Sequence, residues 1–233
     1  MSATILNHDI YCKSIGLNLA DVKFIRVSSD FPIENRPIYP LNIAHLNYDN
    51  LQRQEIRSNI VKAIDKIMNL HENDKGIIHT TSYKQLNFIK QNISYQNAQR
   101  LVETNSFVER DEVIARHTMT KLEPTVLISP SLYTGLDLKD DLSRFQIIVK
   151  VPFPDLTDKW ICTKMKKDKQ WYYWQTALRL VQSYGRSIRS KDDWAKTYVL
   201  DSSFGNFLKK NRNMFPDWFT FAIVYNSAIC KEK

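Results

Sequence analysis

Gln175 to Arg189, QTALRLVQSYGRSIR, is the stretch whose reading decides the fold. Its apolar and polar residues recur at helical spacing. Leu178, Val181 and Ile188 can face a core, while Gln175, Arg179, Gln182, Arg186 and Arg189 fall at offsets 0, +4, +7, +11 and +14. At about 3.6 residues per turn these offsets share one stripe. The spacing therefore predicts a helix running through Arg189, with two amides and three guanidinium groups along one side. Planar guanidinium forks suit phosphate oxygens and stay charged at any working pH. Gly185 removes a side chain from the middle of the stripe and permits close approach to the backbone, at a cost of roughly 1 kcal/mol in helix propensity. The competing reading is a solvated basic helix face with no ligand.

Outward from that stretch, the bulk numbers set bounds. The sequence has 233 residues, 43% hydrophobic and 25% charged, enough for a sizeable core. A formal net charge of +8 points to an acidic partner, of which nucleic acid is the commonest. No apolar run reaches the roughly 18 residues of a membrane span, and the first residues lack the basic-then-apolar layout of a signal peptide. The expected setting is intracellular, in the cytoplasm with the nucleoid or in the nucleus. Cys12, Cys162 and Cys230 lie far apart and form no CxxC pair. They are expected as reduced, mostly buried thiols, with no zinc or iron–sulfur ligand set in this chain.

Taken in order, Val22 to Val27 (VKFIRV) is a β-rich run and is predicted as a strand. Ser28 to Tyr39, with two prolines, reads as an extended connector. Asp49 to Leu70 carries Ile56, Ile60, Ile64, Ile67 and Met68 at the spacing of a long amphipathic helix. The other strand candidates are Gly76 to Thr80, Gln99 to Glu103, Thr125 to Ser129, Phe145 to Val151 and Ala195 to Leu200. Further helices are predicted over Tyr83 to Ile93, Phe107 to Met119, Phe204 to Leu208 and Phe215 to Ala222. Lys164 to Lys169 (KMKKDK) reads as a basic loop. Trp171 to Trp174 (WYYW) opens the central helix as core aromatics, the rival being a base-stacking platform. Six strand candidates mostly separated by helices predict an α/β fold in one domain, 1–233, with a mainly parallel sheet covered on both faces.

Two hydroxyl-rich segments follow predicted strands, where ligand crevices open in α/β sheets. Thr80-Thr81-Ser82-Tyr83 offers hydroxyls and helix N-terminal N–H groups to a phosphate backbone; the alternative is a capping turn with no ligand. Pro130 to Asp137 (PSLYTGLD) places Ser131, Thr134, Gly135 and Asp137 after the strand ending at Ser129. His79 and His117 stand alone and read as structural. The sequence contains no GxxxxGK[ST] phosphate loop and no DEAH-type metal-binding pair.

Together these segments resemble superfamily-2 helicases of the XPD/DinG group. Gln182-x-x-Gly185-Arg186-x-x-Arg189 is similar to their QxxGRxxR motif. Ser2-Ala3-Thr4, FPIENRPI, HTTSY, the Ser131-to-Asp137 segment, VPFP and MFPDWF resemble their SAT, FP-x-x-NRP-I, motif IV, motif V, PFP and closing segments, in that order. Asp193-Trp194-Ala195 departs from the usual D-x-G step, with Ala195 where glycine is expected. The resemblance implies a three-layer RecA-like domain of the P-loop NTPase type, the second motor domain of an ATP-dependent DNA helicase. It implies catalytic roles at the ATP γ-phosphate for Gln182, Arg186 and Arg189. It also implies an ATP-binding edge at Gly135, Asp137, Gln182, Gly185, Arg186 and Arg189, and contacts to single-stranded DNA at Thr81, Ser82, Tyr83, Ser131 and Thr134. ATP and Mg2+ are the implied cofactors, the metal being held by the first RecA-like domain of the same protein; an iron–sulfur cluster would also lie outside this chain. The partners implied are single-stranded DNA and that first domain, and no membrane. Because the SAT-like residues stand at the start, the sequence is expected to be a piece of a longer helicase, inactive toward ATP alone. The alternative is a non-enzymatic nucleic-acid-binding or regulatory module with the same fold.

Overall fold

The computed structural model describes residues 4–103, 110–120, 123–131, 138 and 140–225. Six strands form one sheet: β1 (Ile38–Ala44), β2 (Gly76–His79), β3 (Leu101–Glu103), β4 (Val126–Ser129), β5 (Phe145–Ile148) and β6 (Lys196–Asp201). Their order is β1-β6-β5-β2-β4-β3, and every pairing is parallel. α1 (His8–Ile15) precedes them; α2 (Gln54–Leu70), α3 (Tyr83–Asn92), α4 (Tyr95–Arg100), α5 (Arg110–Met119), α6 (Lys159–Lys167) and α7 (Lys169–Tyr184) run between them; α8 (Ser203–Lys210) and α9 (Asp217–Thr220) follow.

β2, β4 and β5 are buried along their whole length. Strands covered on both faces read as continuous apolar runs, which is why these three stand out in the sequence. Successive strand residues point to opposite faces, and the core divides accordingly. Ile78, Ile128, Ile147, Tyr198 and Leu200 pack under α2 and α3, against Ile60, Ile64, Met68, Leu86 and Ile89. Ile148 and Val199 face the other way, toward Trp174, Ala177, Val181 and Tyr184 of α7 and Phe204 and Phe207 of α8. The result is the expected three-layer α/β architecture of the RecA-like kind.

The structure corrects several local expectations. Val22 to Val27 forms no strand; Ile25 and Val27 are 73% and 82% exposed, with no neighbouring strand to pair with. The strand comes later, as β1, inside and beyond the stretch read as connector. Pro40 argues against a strand interior, but β1 lies at the end of the sheet order, where a missing N–H is tolerated. Its register with β6 slips between Pro40 and Ala44. The helix expected from Asp49 is a 3-10 turn at Asn50–Gln52 followed by α2. Lys164 to Lys167 are the last turn of α6, not a loop. The Asp158 carboxylate caps that helix by accepting from the Trp160 and Ile161 amides at 2.8 and 3.1 Å, and lysines at its far end complement the helix dipole. Trp171, Tyr172 and Trp174 are core residues as expected, whereas Tyr173 is 37% exposed.

Gly76 opens β2 against the fully buried ring of Phe145 on β5, and a Cβ there would overlap that ring. Gly76→Ala is expected to destabilise the chain by about 1–3 kcal/mol in urea unfolding. Gly205→Ala, in α8 with nothing within 4 Å of the added carbon, is expected to be neutral or slightly stabilising.

Candidate functional site

The expected helix through Arg189 is cut short. Gln175, Arg179 and Gln182 share a half-buried stripe of α7, but the helix ends at Tyr184, and Arg186 and Arg189 lie in the loop beyond it. Gly185 closes the last turn, its N–H reaching Val181 O at 3.0 Å. Its φ of −77° is open to any residue, and an added Cβ would meet Val181 O at an ordinary 3.4 Å. Nothing in the described packing of this chain requires glycine at 185.

Tertiary bonds set the loop's path. Gln146, buried on β5, donates through Nε2 to Tyr184 O at 2.8 Å and to Thr197 Oγ1 at 2.9 Å. Its Oε1 lies 3.3 Å from His79 Nε2, so that nitrogen carries the proton. Tyr184 in turn donates its hydroxyl to Arg36 O at 2.6 Å, tying the NRP segment to the end of α7. The buried Ser187 and Ser143 hydroxyls meet at 2.6 Å. The Asp193 carboxylate is the main anchor. It accepts from the Arg189 amide at 3.2 Å, the Asp140 amide at 3.2 Å, the Trp194 amide at 2.9 Å and Arg144 Nη1 at 2.7 Å. Leu138 N donates to Arg186 O at 3.4 Å. Leu138 and Asp140, which follow Gly135 and Asp137 in sequence, are therefore each bonded to the 186–193 loop. Thr134, Gly135 and Asp137 themselves lie outside the described residues, as do Ser2, Ala3 and Cys230.

A second region lies at the carboxyl ends of β1, β6, β5 and β2, where a groove of about 830 Å³ opens. Thr81 and Ser82 line it together with Lys150 and Phe153 of the VPFP step. Ser82 also caps α3, its Oγ accepting from the Gln85 amide at 3.2 Å, while Gln85 Oε1 accepts from Thr81 N at 2.9 Å. The capping-turn geometry and the exposed hydroxyls thus coexist. Asp201, buried at the end of β6, accepts from the amides of Leu46, Val151 and Ser203 at 3.3, 3.1 and 2.9 Å. It fixes the three loops that floor the groove. Tyr83 is exposed at the start of α3 and does not line the groove. Ser131 follows β4, its amide donating to Ser129 Oγ at 3.2 Å, also off the groove. Of the described nucleic-acid candidates, Thr81 and Ser82 line the groove, whereas Tyr83, next to them in sequence, and Ser131 do not.

Sequence reading missed Arg144, Gln146 and Asp201 and gave Asp193 only as part of a departure from a motif. Lone polar residues beside apolar runs carry no periodic signal. Among the described residues, no group of three or more His, Cys, Asp or Glu is placed to hold a metal ion. Cys12 and Cys162 are free thiols. No described helix is long and apolar enough to cross a membrane.

The model of the helicase C-terminal domain matches residues 64–221, more than half of the sequence, including the arginine loop and most of the groove's lining. The chain belongs to the helicase C-terminal domain family. This helicase C-terminal domain is 30% identical over 116 residues to the ATP-dependent DNA helicase chl1 of Schizosaccharomyces pombe, covering 40% of this chain and 14% of that protein. It is 24% identical over 218 residues to CHL1 of Debaryomyces hansenii, covering 75% of this chain and 26% of that protein. The chain thus spans about a quarter or less of the length of these curated relatives. Its fold is that of solved XPD structures. One apo-XPD structure matches with a TM-score of 0.66 at 17% identity over 92% of this chain and 46% of that one. The Xpd4 structure from S. tokodaii matches with a TM-score of 0.60 at 18% identity over 89% of this chain and 41% of that one.

The buried histidines of the helicase C-terminal domain give it a pH dependence. Burial pushes His79 down to about 4, and the nearby Arg186 charge acts in the same direction. Burial also pushes His117 down to about 4; its Nε2 donates to Leu142 O and its Nδ1 accepts from Thr125 Oγ1, both at 2.8 Å. Both values lie below the ordinary value of about 6.5, so the unfolded chain takes up these protons first as pH falls. Stability is retained above about pH 6.5 and lost progressively toward pH 4. The thermal midpoint is expected to drop on the order of 5–10 °C from pH 7 to pH 5, with a shallower drop in His117→Gln.

Proposed function

We propose that the chain is the second RecA-like motor domain of an ATP-dependent DNA helicase of the XPD/DinG type, acting in a nucleus or beside a bacterial nucleoid. The observation that carries this reading is the pair of hydrogen bonds by which Leu138 and Asp140 join the 186–193 loop. They tie the arginine loop to residues that follow the Ser131-to-Asp137 segment in sequence. A cationic loop held this firmly suits a reaction in which negative charge moves between phosphate oxygens, because pre-placed charges need no reorganisation as the reaction proceeds.

In this reading ATP binds between this domain and a first RecA-like domain. Arg186 and Arg189 reach across the cleft and stabilise charge on the γ-phosphoryl group in transit, a contribution worth about 10³–10⁵ in rate for arginine fingers generally. Gln182, at the end of α7, senses the phosphate or orients the attacking water. Gly135, Asp137 and Gly185 line the nucleotide edge, and the free space at Gly185 lets the nucleotide or the opposite domain approach the backbone. Mg2+ falls to the first domain. Thr81, Ser82, Tyr83, Ser131 and Thr134 hold the DNA backbone, and opening and closing of the cleft moves the strand.

The test is Arg189→Ala in the full-length protein. ATP turnover is expected to fall by about 10³-fold or more, while binding to single-stranded DNA, read by fluorescence anisotropy, stays within about twofold. Equal loss of both would overturn the assigned role. The isolated 233-residue chain is expected to show negligible ATP turnover with or without DNA.

A further inference from the structure

The groove at the strand ends has a composition that phosphate contacts alone do not explain. Its walls are largely apolar and aromatic. Tyr48 stands 76% exposed at its mouth, in the loop after β1. Phe88 of α3 lies inside, with the guanidinium of Arg57 stacked 4.7 Å from its ring centroid, and Phe153 lines it from the VPFP step. Three cations, Arg57, Lys84 and Lys150, also line it. Two acids, Asp201 and Asp155, line it as well and both act on Lys150, so the cations outnumber the acids by one. Asp201 spends its oxygens on three backbone amides, and the Asp155 carboxylate accepts the Thr157 amide at 2.9 Å.

We propose that this groove is a base-binding subsite, taking one or two unstacked nucleobases of a single strand whose sugar–phosphate backbone crosses Thr81 and Ser82. The inference rests on the reading of those two residues as backbone contacts and adds where the bases go. A strand with its backbone on the hydroxyls at the β2–α3 turn must turn its bases either out to solvent or into the groove. Flat, uncharged rings fit a cleft with aromatic and guanidinium planes, and the polyanionic backbone fits a cationic rim. The volume of about 830 Å³ lies within the roughly 300–1,000 Å³ of ordinary ligand sites. Recognition of this kind tolerates any base, because every base presents a π face, as a motor that moves along arbitrary sequence requires.

The experiment uses the 233-residue chain and oligothymidylates of about 12 nucleotides, each carrying a single 2-aminopurine or a single abasic residue at successive positions. Fluorescence quenching reads stacking and anisotropy reads affinity. Quenching is expected at one or two adjacent positions, and an abasic residue there should weaken binding about tenfold. Tyr48→Ala and Phe88→Leu should abolish both effects; Tyr48 is exposed, so its variant keeps the fold and its thermal midpoint. Thr81→Ala should weaken binding at every position without moving the quenched one. If the oligonucleotide binds and Thr81→Ala weakens it, but no position is quenched and no abasic residue matters, the base subsite is wrong and the backbone grip stands. If the chain binds no oligonucleotide at low salt, both readings fall.

Discussion

The Asp193 carboxylate is the interaction on which the candidate nucleotide edge depends. It is 2% exposed, and a carboxylate that far from water is tolerated only when its oxygens are paired and hydrogen-bonded. Here three backbone amides and the Arg144 guanidinium satisfy it. Arg144 is itself fully engaged. It grips Asp141 through Nε and Nη2 at 2.9 and 2.8 Å and stacks over Trp194 at 4.9 Å. Such a pair adds little net stability over an apolar replacement. What it adds is uniqueness, since the amides of residues 140, 189 and 194 converge on one group only when the loop follows one path.

A second buried carboxylate, Asp201, does the same work at the far end of β6, gathering the loops after β1, β5 and β6. One strand therefore carries an anchor at each end, with the arginine loop before it and the groove beyond it. Both anchors use the same chemistry, an acceptor with several lone pairs taking amides that no ladder or helix satisfies.

The layered architecture was legible in the sequence because burial on both faces leaves uninterrupted apolar runs at β2, β4 and β5, and α2 shows its amphipathic spacing plainly. The arginine motif was legible as chemistry but not as geometry. Ile188 keeps the helical offset and is buried, so the pattern continues past the point where the helix stops. What stops it is remote in sequence: the Gln146 amide on Tyr184 O and the Ser143 hydroxyl on Ser187. β1 was hidden for the converse reason, since its proline is acceptable only because of its place at the sheet edge, which local composition cannot reveal. Val22 to Val27 has strand-forming residues but no partner strand. Propensity proposes and tertiary pairing decides.

The two candidate regions sit at opposite ends of the same short strand, which constrains how they can communicate. Six residues of strand span about 20 Å, and β6 is buried through most of its length between two packed faces. A close-packed core transmits displacement but does not deform smoothly. The arginine loop and the groove are each tied to this rod by a multiply bonded carboxylate, so neither can shift far while the sheet stays still. In the proposed motor, coupling between phosphate chemistry and strand movement would then run through rotation of the whole domain against its partner, at a hinge outside the sheet. The arginines would sense the phosphate, the groove would hold the strand, and β6 would keep the distance between them fixed.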